Sequence, residues 1–258
     1  MRDDVDAVET GGRRGIRVIV DPDTAGASAA VVRDFVRAEP RGVLGLATGS
    51  SPLGLYRVLG ELTEAGEFDA SGLRYVALDE YLGLPAGSAQ SYRSVLEREA
   101  LEPLRSDPAR LAMPDPSAPD PAEEAARYDR SIAATGGVGL QILGIGRNGH
   151  IGFNEPPSPF DGRTRVVDLA ESTRRDNSRF FDSVDEVPRR AVTQGIGTIL
   201  EAKRLLLVAR GSAKADAVAA ALEGPIGEAM PASALRLHPD VTVVLDPEAA
   251  ALLAVHGS

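Results

Sequence analysis

Short apolar runs alternate with helix-like segments along most of the chain. Most of these runs are almost continuously apolar, which is typical of strands that a parallel sheet buries on both faces. Alternation of this kind predicts an α/β protein in which helices cover the sheet. The runs are IRVIV (16–20), VLGLAT (43–48), LRYVALDE (73–80), LQILGIG (140–146), RVVDL (165–169), RLLLVAR (204–210) and VTVVLD (241–246).

The order of the elements also predicts where a ligand would bind. Right-handed crossovers bring the carboxyl ends of parallel strands to one edge of the sheet, and open α/β sheets bind ligands there. No internal repeat or interdomain linker interrupts the alternation, so we expect one domain over 15–258, preceded by a flexible tail at 1–14. The polar stretch 171–188 is predicted to be a mobile cap, within a lid segment that spans 157–188.

Charge and composition exclude several functional classes of protein. A net charge of −10 over 258 residues argues against a nucleic-acid partner, although a few local cations could still bind one phosphate. The absence of cysteine excludes disulfides, thiolate nucleophiles and cysteine metal sites. With no run near the roughly 20 apolar residues of a membrane helix and no signal-peptide pattern, we expect a soluble cytoplasmic protein without a membrane partner. A homo-oligomer is compatible with these features.

The stretch GIGRNG (144–149) has the G-x-G-x-x-G spacing of a dinucleotide-binding turn, and Asp168 ends a later apolar run. A dinucleotide turn requires the last glycine to open a helix that receives the pyrophosphate. Here HIGFNEPPSP follows, and its prolines make a helix very unfavourable. The sequence therefore predicts that these glycines serve other chemistry and that the spacing of Asp168 is a coincidence.

Two strand-to-helix turns could bind an anion. In ATGSSP (47–52), Ser51 is predicted to cap a helix that has Pro52 at its first position. The exposed amides of Ser50 and Ser51 would then attract an anion such as phosphate. In RGSAK (210–214), Lys214 enters the first helical turn, where it would oppose the helix dipole unless it faced a phosphate. The alternatives are an ordinary turn and a solvated surface lysine.

Candidate proton-transfer residues follow two other apolar runs. Asp79 and Glu80 close RYVALDE, and their side chains should point to opposite faces, so that one faces the cleft while the other caps or pairs elsewhere. His150 follows GIGRNG, with Asn148 before it and Glu155 close enough to orient the imidazole. The alternatives are a solvated loop acid and a structural histidine. No G-x-S-x-G nucleophile turn occurs, and the histidines lack metal-ligand spacing.

Five strings together resemble the glucosamine-6-phosphate deaminase family. They are GLATGSSP, VALDEYLGL, GIGRNGHIGFNEP, TRRDNSRFF and LHPDVTVVLD, in the family's order over roughly 43–246. The resemblance implies a three-layer α/β/α, modified Rossmann-like fold without a dinucleotide. It also implies conversion of glucosamine 6-phosphate and water to fructose 6-phosphate and ammonia, with no cofactor or metal. The related 6-phosphogluconolactonases share the fold but lack the F-N-E-P continuation.

The resemblance assigns roles residue by residue. Asp79 would move a proton between C2 and C1 of the open-chain sugar, His150 would open the pyranose ring, and Glu155 would hold and tune the imidazole. Asn148 stands where many members have aspartate; it can hydrogen-bond the histidine but cannot stabilise an imidazolium by charge. The phosphate contacts would come from the loop and two cations, namely Thr48, Gly49, Ser50, Ser51, Arg179 and Lys214.

Some members of the family are hexamers activated by N-acetylglucosamine 6-phosphate, and carry a basic residue two places after the R-T-R arginine. Here R-T-R (163–165) is followed by Val166 and Val167, so we expect the activator site to be absent. Two other functions stay open: a lactonase acting on 6-phosphogluconolactone with the same fold, and a non-catalytic sugar-phosphate sensor. Asp79 argues against the sensor, because a sensor needs no base.

Overall fold

The computed structural model describes residues 15–254, so the tail predicted at 1–14 lies outside the described residues. Within them, ten strands form two sheets. The strands are β1 (Ile16–Val20), β2 (Val43–Leu46), β3 (Arg74–Ala77), β4 (Asp79–Leu82), β5 (Leu111–Ala112), β6 (Leu140–Leu143), β7 (Arg165–Asp168), β8 (Arg190–Thr193), β9 (Leu205–Ala209) and β10 (Val241–Leu245).

The larger sheet has seven strands in the order β1-β10-β9-β6-β2-β3-β5, and every neighbouring pair is parallel. Its central strands β2, β6 and β9 are buried along their whole length. This burial on both faces explains why their sequences are almost continuously apolar. The predicted α/β fold with a mostly parallel sheet is confirmed.

A second, antiparallel sheet contains the strands β4, β8 and β7 in that order. The prediction of one strand over 73–80 was wrong, because the chain changes sheets at Leu78. The N–H of Leu78 donates to Leu46 in the large sheet, and its carbonyl accepts from Gln194 just after β8. The run 165–169 is a strand as predicted, but it pairs in this smaller sheet, and β8 was not predicted at all.

Seven α-helices surround the sheets within the described residues. They are α1 (Thr24–Ala38), α2 (Ser50–Glu64), α3 (Tyr92–Leu96), α4 (Pro121–Ala134), α5 (Glu171–Asn177), α6 (Ile196–Leu200) and α7 (Ala215–Glu223). The start of α4 illustrates how the sequence sets a boundary: Asp120 accepts the N–H groups of Ala122 and Glu123, and Pro121 takes the first position. None of the helices between residues 15 and 254 is long and apolar enough to cross a membrane.

Candidate active site

A cavity of about 680 Å³ opens at the carboxyl ends of β2, β3, β6 and β9, the edge that the topology predicts for a ligand. Most of the predicted site residues line it: Thr48, Gly49, Ser50, Ser51, Asp79, His150, Arg179 and Lys214. Asn148 and Glu155 do not line the cavity, and contact the site through the loop that carries His150. Residues from four strand ends and from α5 therefore share one pocket.

The turn after β2 prepares the start of α2 for an anion. The helix begins at Ser50 and Gly49 is its N-cap, so the prediction that Ser51 caps it was wrong. Gly49 has a φ of 97°, a conformation that costs glycine little, and this lets the helix start before Ser51. No side chain between residues 15 and 254 caps the helix, so its first amides stay available to an anion in the cavity.

Asp79 and Glu80 perform separate tasks, as the alternation along a strand predicts. Glu80 is buried and accepts the N–H groups of Tyr81 at 2.8 Å, Tyr92 at 2.8 Å and Arg93 at 2.9 Å. It therefore holds the start of α3 against β4. Asp79 lines the cavity with only 6% of its surface exposed. Burial and the neighbouring charge of Glu80 raise the pKa of Asp79 well above its usual value, which suits a general base.

The glycines of GIGRNG shape the loop around His150. A Cβ on Gly146 would lie 2.3 Å from Nδ1 of the imidazole, so only glycine lets the ring lie against the backbone there. Gly149 has a φ of 83° and lies against the side chain of Met230. No helix follows, since residues 150–164 form turns and an isolated bridge. The same glycine spacing that suggests a dinucleotide turn thus makes room for an imidazole.

Glu155 lies behind the imidazole, with its side chain 16% exposed. Its Oε2 is 3.5 Å from Nδ1 of His150 and accepts Nδ2 of Asn148 at 2.5 Å, while its Oε1 accepts the hydroxyl of Thr173. Burial raises the pKa of Glu155, but the contact with His150 and the bonds from Thr173 and Asn148 outweigh burial and lower the pKa to about 2. Glu155 is therefore ionised and can stabilise an imidazolium.

The hydrogen bond from Asn148 to His150 differs from the predicted one. Its Oδ1 accepts the backbone N–H of His150 at 3.3 Å, and its Nδ2 donates to Glu155. The predicted hydrogen bond to the histidine is thus made to the main chain and not to the imidazole. Because the amide is neutral, it supports the carboxylate of Glu155 without competing for the charge of the ring.

Four cations line one part of the cavity: Arg147, Arg179, Arg210 and Lys214. None of their side chains makes a hydrogen bond or a close ion pair with another residue in the range 15–254. Burial lowers the pKa of Lys214, and the charges of Arg147 and Arg179 lower it further, although Asp176 acts the other way. Four positive charges in one part of the cavity exceed the charge of Asp176, the acidic residue that acts on Lys214, and this excess of positive charge favours a bound anion.

Two of these cations were missed in the sequence. Arg147 lies inside GIGRNG, where the glycine spacing drew attention away from it, and Arg210 directly precedes GSAK. Each follows a strand, β6 or β9, that ends at the ligand-binding edge. Arg210 directly follows β9 and Arg147 lies four residues after β6, so a cation within one short turn after a buried parallel strand was the signal that could have identified both.

The histidines offer no metal site within the described residues, where no group of three or more potential ligands clusters. His238 is buried, and its ring nitrogens lie 3.0 Å from the carbonyl oxygen of Asp240 and 2.7 Å from that of Ala202. Its ring therefore stabilises the chain before β10. His256 lies outside the described residues.

The fold and the cavity define an α/β protein whose sheet edge combines an anion-binding group of cations with a buried base and an imidazole–carboxylate pair. The sequence profile of glucosamine-6-phosphate isomerases/6-phosphogluconolactonase matches residues 22–244. The chain belongs to this family, which confirms the resemblance found in the sequence.

Individual relatives lie close to this chain. It is 50% identical to the glucosamine-6-phosphate deaminase of Streptomyces avermitilis, over 92% of this chain and 93% of that protein. It is 51% identical to the one of Rhodococcus opacus, over 90% of each. A solved structure of a monomeric glucosamine-6-phosphate deaminase matches with a TM-score of 0.88 and 43% identity, over 92% of this chain and 99% of that one.

The lactonases of the family are more distant. The 6-phosphogluconolactonase from Trypanosoma cruzi matches with a TM-score of 0.71 and 20% identity, over 97% of this chain and 100% of that one. This likeness shows a shared fold and no more.

Proposed function

We propose that this enzyme isomerises and deaminates glucosamine 6-phosphate, giving fructose 6-phosphate and ammonia. The observation that carries the proposal is the single cavity that joins Asp79 and His150 to the unpaired cations. A sugar with an anionic group at one end and exchangeable protons at the other matches this distribution of charge. The high identity to glucosamine-6-phosphate deaminases supports the same substrate.

Asp79 is the base of the isomerisation. Its carboxylate takes the proton from C2 of the open-chain sugar and returns it to C1, while one proton passes from the amino nitrogen to the oxygen at C1. Together these transfers convert the 2-amino aldose to its 1-hydroxy-2-imine. Water then adds to the imine carbon and ammonia leaves, so atoms and charge balance. The raised pKa of Asp79 strengthens it as a base toward a weakly acidic C–H bond.

His150 and Glu155 act earlier, at the pyranose ring. The imidazole gives a proton to the ring oxygen and takes one from the hydroxyl at C1, which opens the ring to the aldehyde. The ionised carboxylate of Glu155 stabilises the imidazolium, and Asn148 holds that carboxylate in place. The cyclic sugar is the form that dominates in water, so this step precedes the work of Asp79.

The cations and the turn after β2 take the phosphate. The first amides of α2, together with Thr48, Gly49, Ser50 and Ser51, present donors to it, and Arg179 and Lys214 supply charge. Arg147 and Arg210 line the same part of the cavity and add further charge. The proposed cap at 171–188 would bring Arg179 onto the phosphate. β7 anchors the earlier part of the 157–188 segment in the small sheet, which leaves the later part, with Arg179, to move.

One assay tests the proposed reaction. The enzyme is given glucosamine 6-phosphate, and ammonia and fructose 6-phosphate are measured by separate coupled reactions. Equal amounts of both products are expected. Hydrolysis of 6-phosphogluconolactone without ammonia release from the amino sugar would instead identify a lactonase, and binding without turnover would identify a sensor.

Arg147 is predicted to serve the phosphate and not the proton transfers. We expect Arg147→Gln to raise KM for glucosamine 6-phosphate about 3- to 10-fold with kcat within about twofold, since one exposed charge-assisted contact is lost. Inhibition by inorganic phosphate should weaken in parallel. Steady-state kinetics with phosphate as competitor measures both.

Arg41→Gln is the matched control, because Arg41 is exposed and precedes β2 at the opposite edge of the sheet. It should leave KM and phosphate inhibition unchanged. Equal values for Arg147→Gln and the unmodified enzyme would remove Arg147 from the phosphate site.

Activation by N-acetylglucosamine 6-phosphate is predicted to be absent. Val167, at the position where activated members carry a basic residue, packs against the cluster of Tyr81, Phe153 and Leu169. The guanidinium of Arg165 is already bound to Asn154 at 2.8 Å. We expect a hyperbolic substrate curve that the effector does not change; a sigmoidal curve that becomes hyperbolic with it would contradict this.

A further inference from the structure

Helix α5 presents two polar side chains to the interior, Thr173 and Asn177. They are four residues apart and so lie on the same face of the helix. Thr173 is buried, at 5% exposure, and its hydroxyl donates to Oε1 of Glu155. Nδ2 of Asn177 donates to the hydroxyl of Tyr81 at 2.9 Å. One face of α5 thus contacts both elements that carry the proposed proton-transfer residues.

Because of the bond from Thr173, the two oxygens of the Glu155 carboxylate are bound by two different elements. Oε1 is held by α5, whereas Oε2 faces Asn148 and the imidazole of His150. A buried carboxylate needs its oxygens hydrogen-bonded, and each bond fixes the rotation of the group. The direction in which Oε2 meets the imidazole therefore depends on where α5 holds Oε1.

The second contact leads toward Asp79. Tyr81 lies two residues after Asp79 on β4, so the two side chains share a face of the strand. The Tyr81 ring packs against Tyr92 at 4.5 Å and Phe153 at 5.6 Å between ring centres. Burial raises the pKa of Tyr81 to about 12, so its hydroxyl stays neutral beside Asp79. Asn177 joins α5 to this packed group.

The carboxyl end of α5 leads directly to the phosphate cations. A single 3₁₀ turn, Ser178–Phe180, follows the helix and contains Arg179. Arg179 lines the cavity with Lys214 and is exposed, so a bound phosphate can draw it inward. The displacement of Arg179 would be transmitted along α5 to Thr173, about one and a half turns away.

We propose that Thr173 is a positioning residue, whose hydroxyl fixes the carboxylate of Glu155 against His150 and couples phosphate binding at Arg179 to ring opening. This inference rests on the proposed function of Glu155 and His150. Thr173 borders the cavity, but its hydroxyl is donated to the carboxylate of Glu155, so the proposed effect is exerted through Glu155. The link runs through one short helix, without any rearrangement of the sheet.

The first test removes the hydroxyl and keeps the shape of the side chain. Thr173→Val is expected to lower kcat about 10- to 100-fold with KM for glucosamine 6-phosphate within about threefold, because supporting bonds to a site residue typically carry effects of this size. Thr173→Ser should restore kcat to within about threefold. Thr63→Val is the matched control, since the Thr63 hydroxyl bonds, among the residues that the structure describes, only the Leu59 carbonyl of its own helix. The kcat of this variant should not change.

A selective readout separates positioning from a structural role. The 4-deoxy-5-O-methyl derivative of glucosamine 6-phosphate has no free hydroxyl at C4 or C5, so it forms neither a furanose nor a pyranose ring and its turnover bypasses ring opening. Thr173→Val should lose much less activity on this analogue than on the natural substrate. An unchanged kcat, equal losses on both substrates, or failure of serine to rescue would each overturn the positioning role.

The coupling is tested by a double mutant. If α5 transmits phosphate binding, Thr173→Val should cost much less kcat in the Arg179→Gln background than alone, because Arg179→Gln has already released the helix. Losses that multiply independently would overturn the coupling. Ammonia release by the unmodified enzyme is measured first. If the unmodified enzyme releases no ammonia, the proposed function is wrong. If it is active, the effects of the variants test the role of Thr173 alone.

Discussion

Asp79→Asn is expected to lower kcat for ammonia release by about 10³-fold or more, with KM changed less than about threefold. Asparagine keeps the shape of the side chain but cannot accept a proton from C2. No neighbour can replace it, because Glu80 is occupied by three backbone N–H groups at the start of α3. Substrate binding should persist, since the phosphate contacts lie on other strand ends.

The same substitution is expected to stabilise the folded protein at neutral pH. An unfolded aspartate titrates near pH 3.9, whereas burial and Glu80 raise the pKa of Asp79 in the folded state. Between these two pKa values the folded state binds more protons than the unfolded state, so the free energy of unfolding falls as pH rises. In the Asp79→Asn variant, position 79 no longer causes this decrease in the free energy of unfolding. The variant should therefore be more stable than the unmodified enzyme at pH 8, and this difference should disappear below about pH 4.

Urea unfolding at pH 4 and pH 8, with ammonia release at pH 8, measures both effects. Asp34→Asn, an exposed carboxylate on α1, is the control and should change neither quantity. Near-normal ammonia release by Asp79→Asn would exclude Asp79 as the base. A variant less stable than the unmodified enzyme at pH 8 would show that the buried carboxylate is not the strained group inferred from its environment.

His150→Gln is expected to lower kcat on the cyclic substrate by about 10²–10⁴-fold, the usual contribution of one acid–base group. Glutamine can donate a hydrogen bond but cannot carry a proton to the ring oxygen. On the 4-deoxy-5-O-methyl analogue, which can form neither ring and needs no ring opening, the loss should stay below about 10-fold. Turnover of the two substrates under the same conditions measures the difference.

His238→Gln is the matched control for a lost imidazole. Away from the cavity, Nε2 of His238 donates to the carbonyl oxygen of Ala202 and Nδ1 accepts the backbone N–H of Asp240, so replacement of the ring should lower stability without a selective loss on the cyclic sugar. Equal losses by His150→Gln on both substrates would contradict a ring-opening role and would point to a general defect in binding.

Much of the fold could be predicted because buried parallel strands have a local signature. The runs 204–210 and 241–246 match β9 and β10 closely, since burial on both faces makes these strands almost continuously apolar. The run 16–20 matches β1, a partly buried edge strand whose β-branched residues favour the extended conformation. The error at 73–80 has a different origin. The chain leaves one sheet at Leu78 because Gln194, over a hundred residues later, bonds its carbonyl. No local pattern contains that partner.

The residues of the candidate site also fall into those that local sequence predicts and those that depend on distant contacts. Asp79, His150 and the turn around Gly49 could be found from strand ends and turn residues, which act over a few positions. Thr173 could not, because an isolated threonine in a polar segment resembles any solvated helix residue. Its bond to Glu155 exists only because α5 packs beside the loop of His150.

The sequence by itself determined the parallel sheet, the ligand-binding edge and the absence of a dinucleotide helix after GIGRNG. These follow from apolar burial and from glycine and proline geometry, which depend on neighbouring residues. Only the tertiary structure decided that Gly146 gives space to the imidazole, that Glu80 holds α3 while Asp79 faces the cavity, and that four cations share one part of that cavity. Each of these depends on contacts between distant segments, which form only when the chain packs.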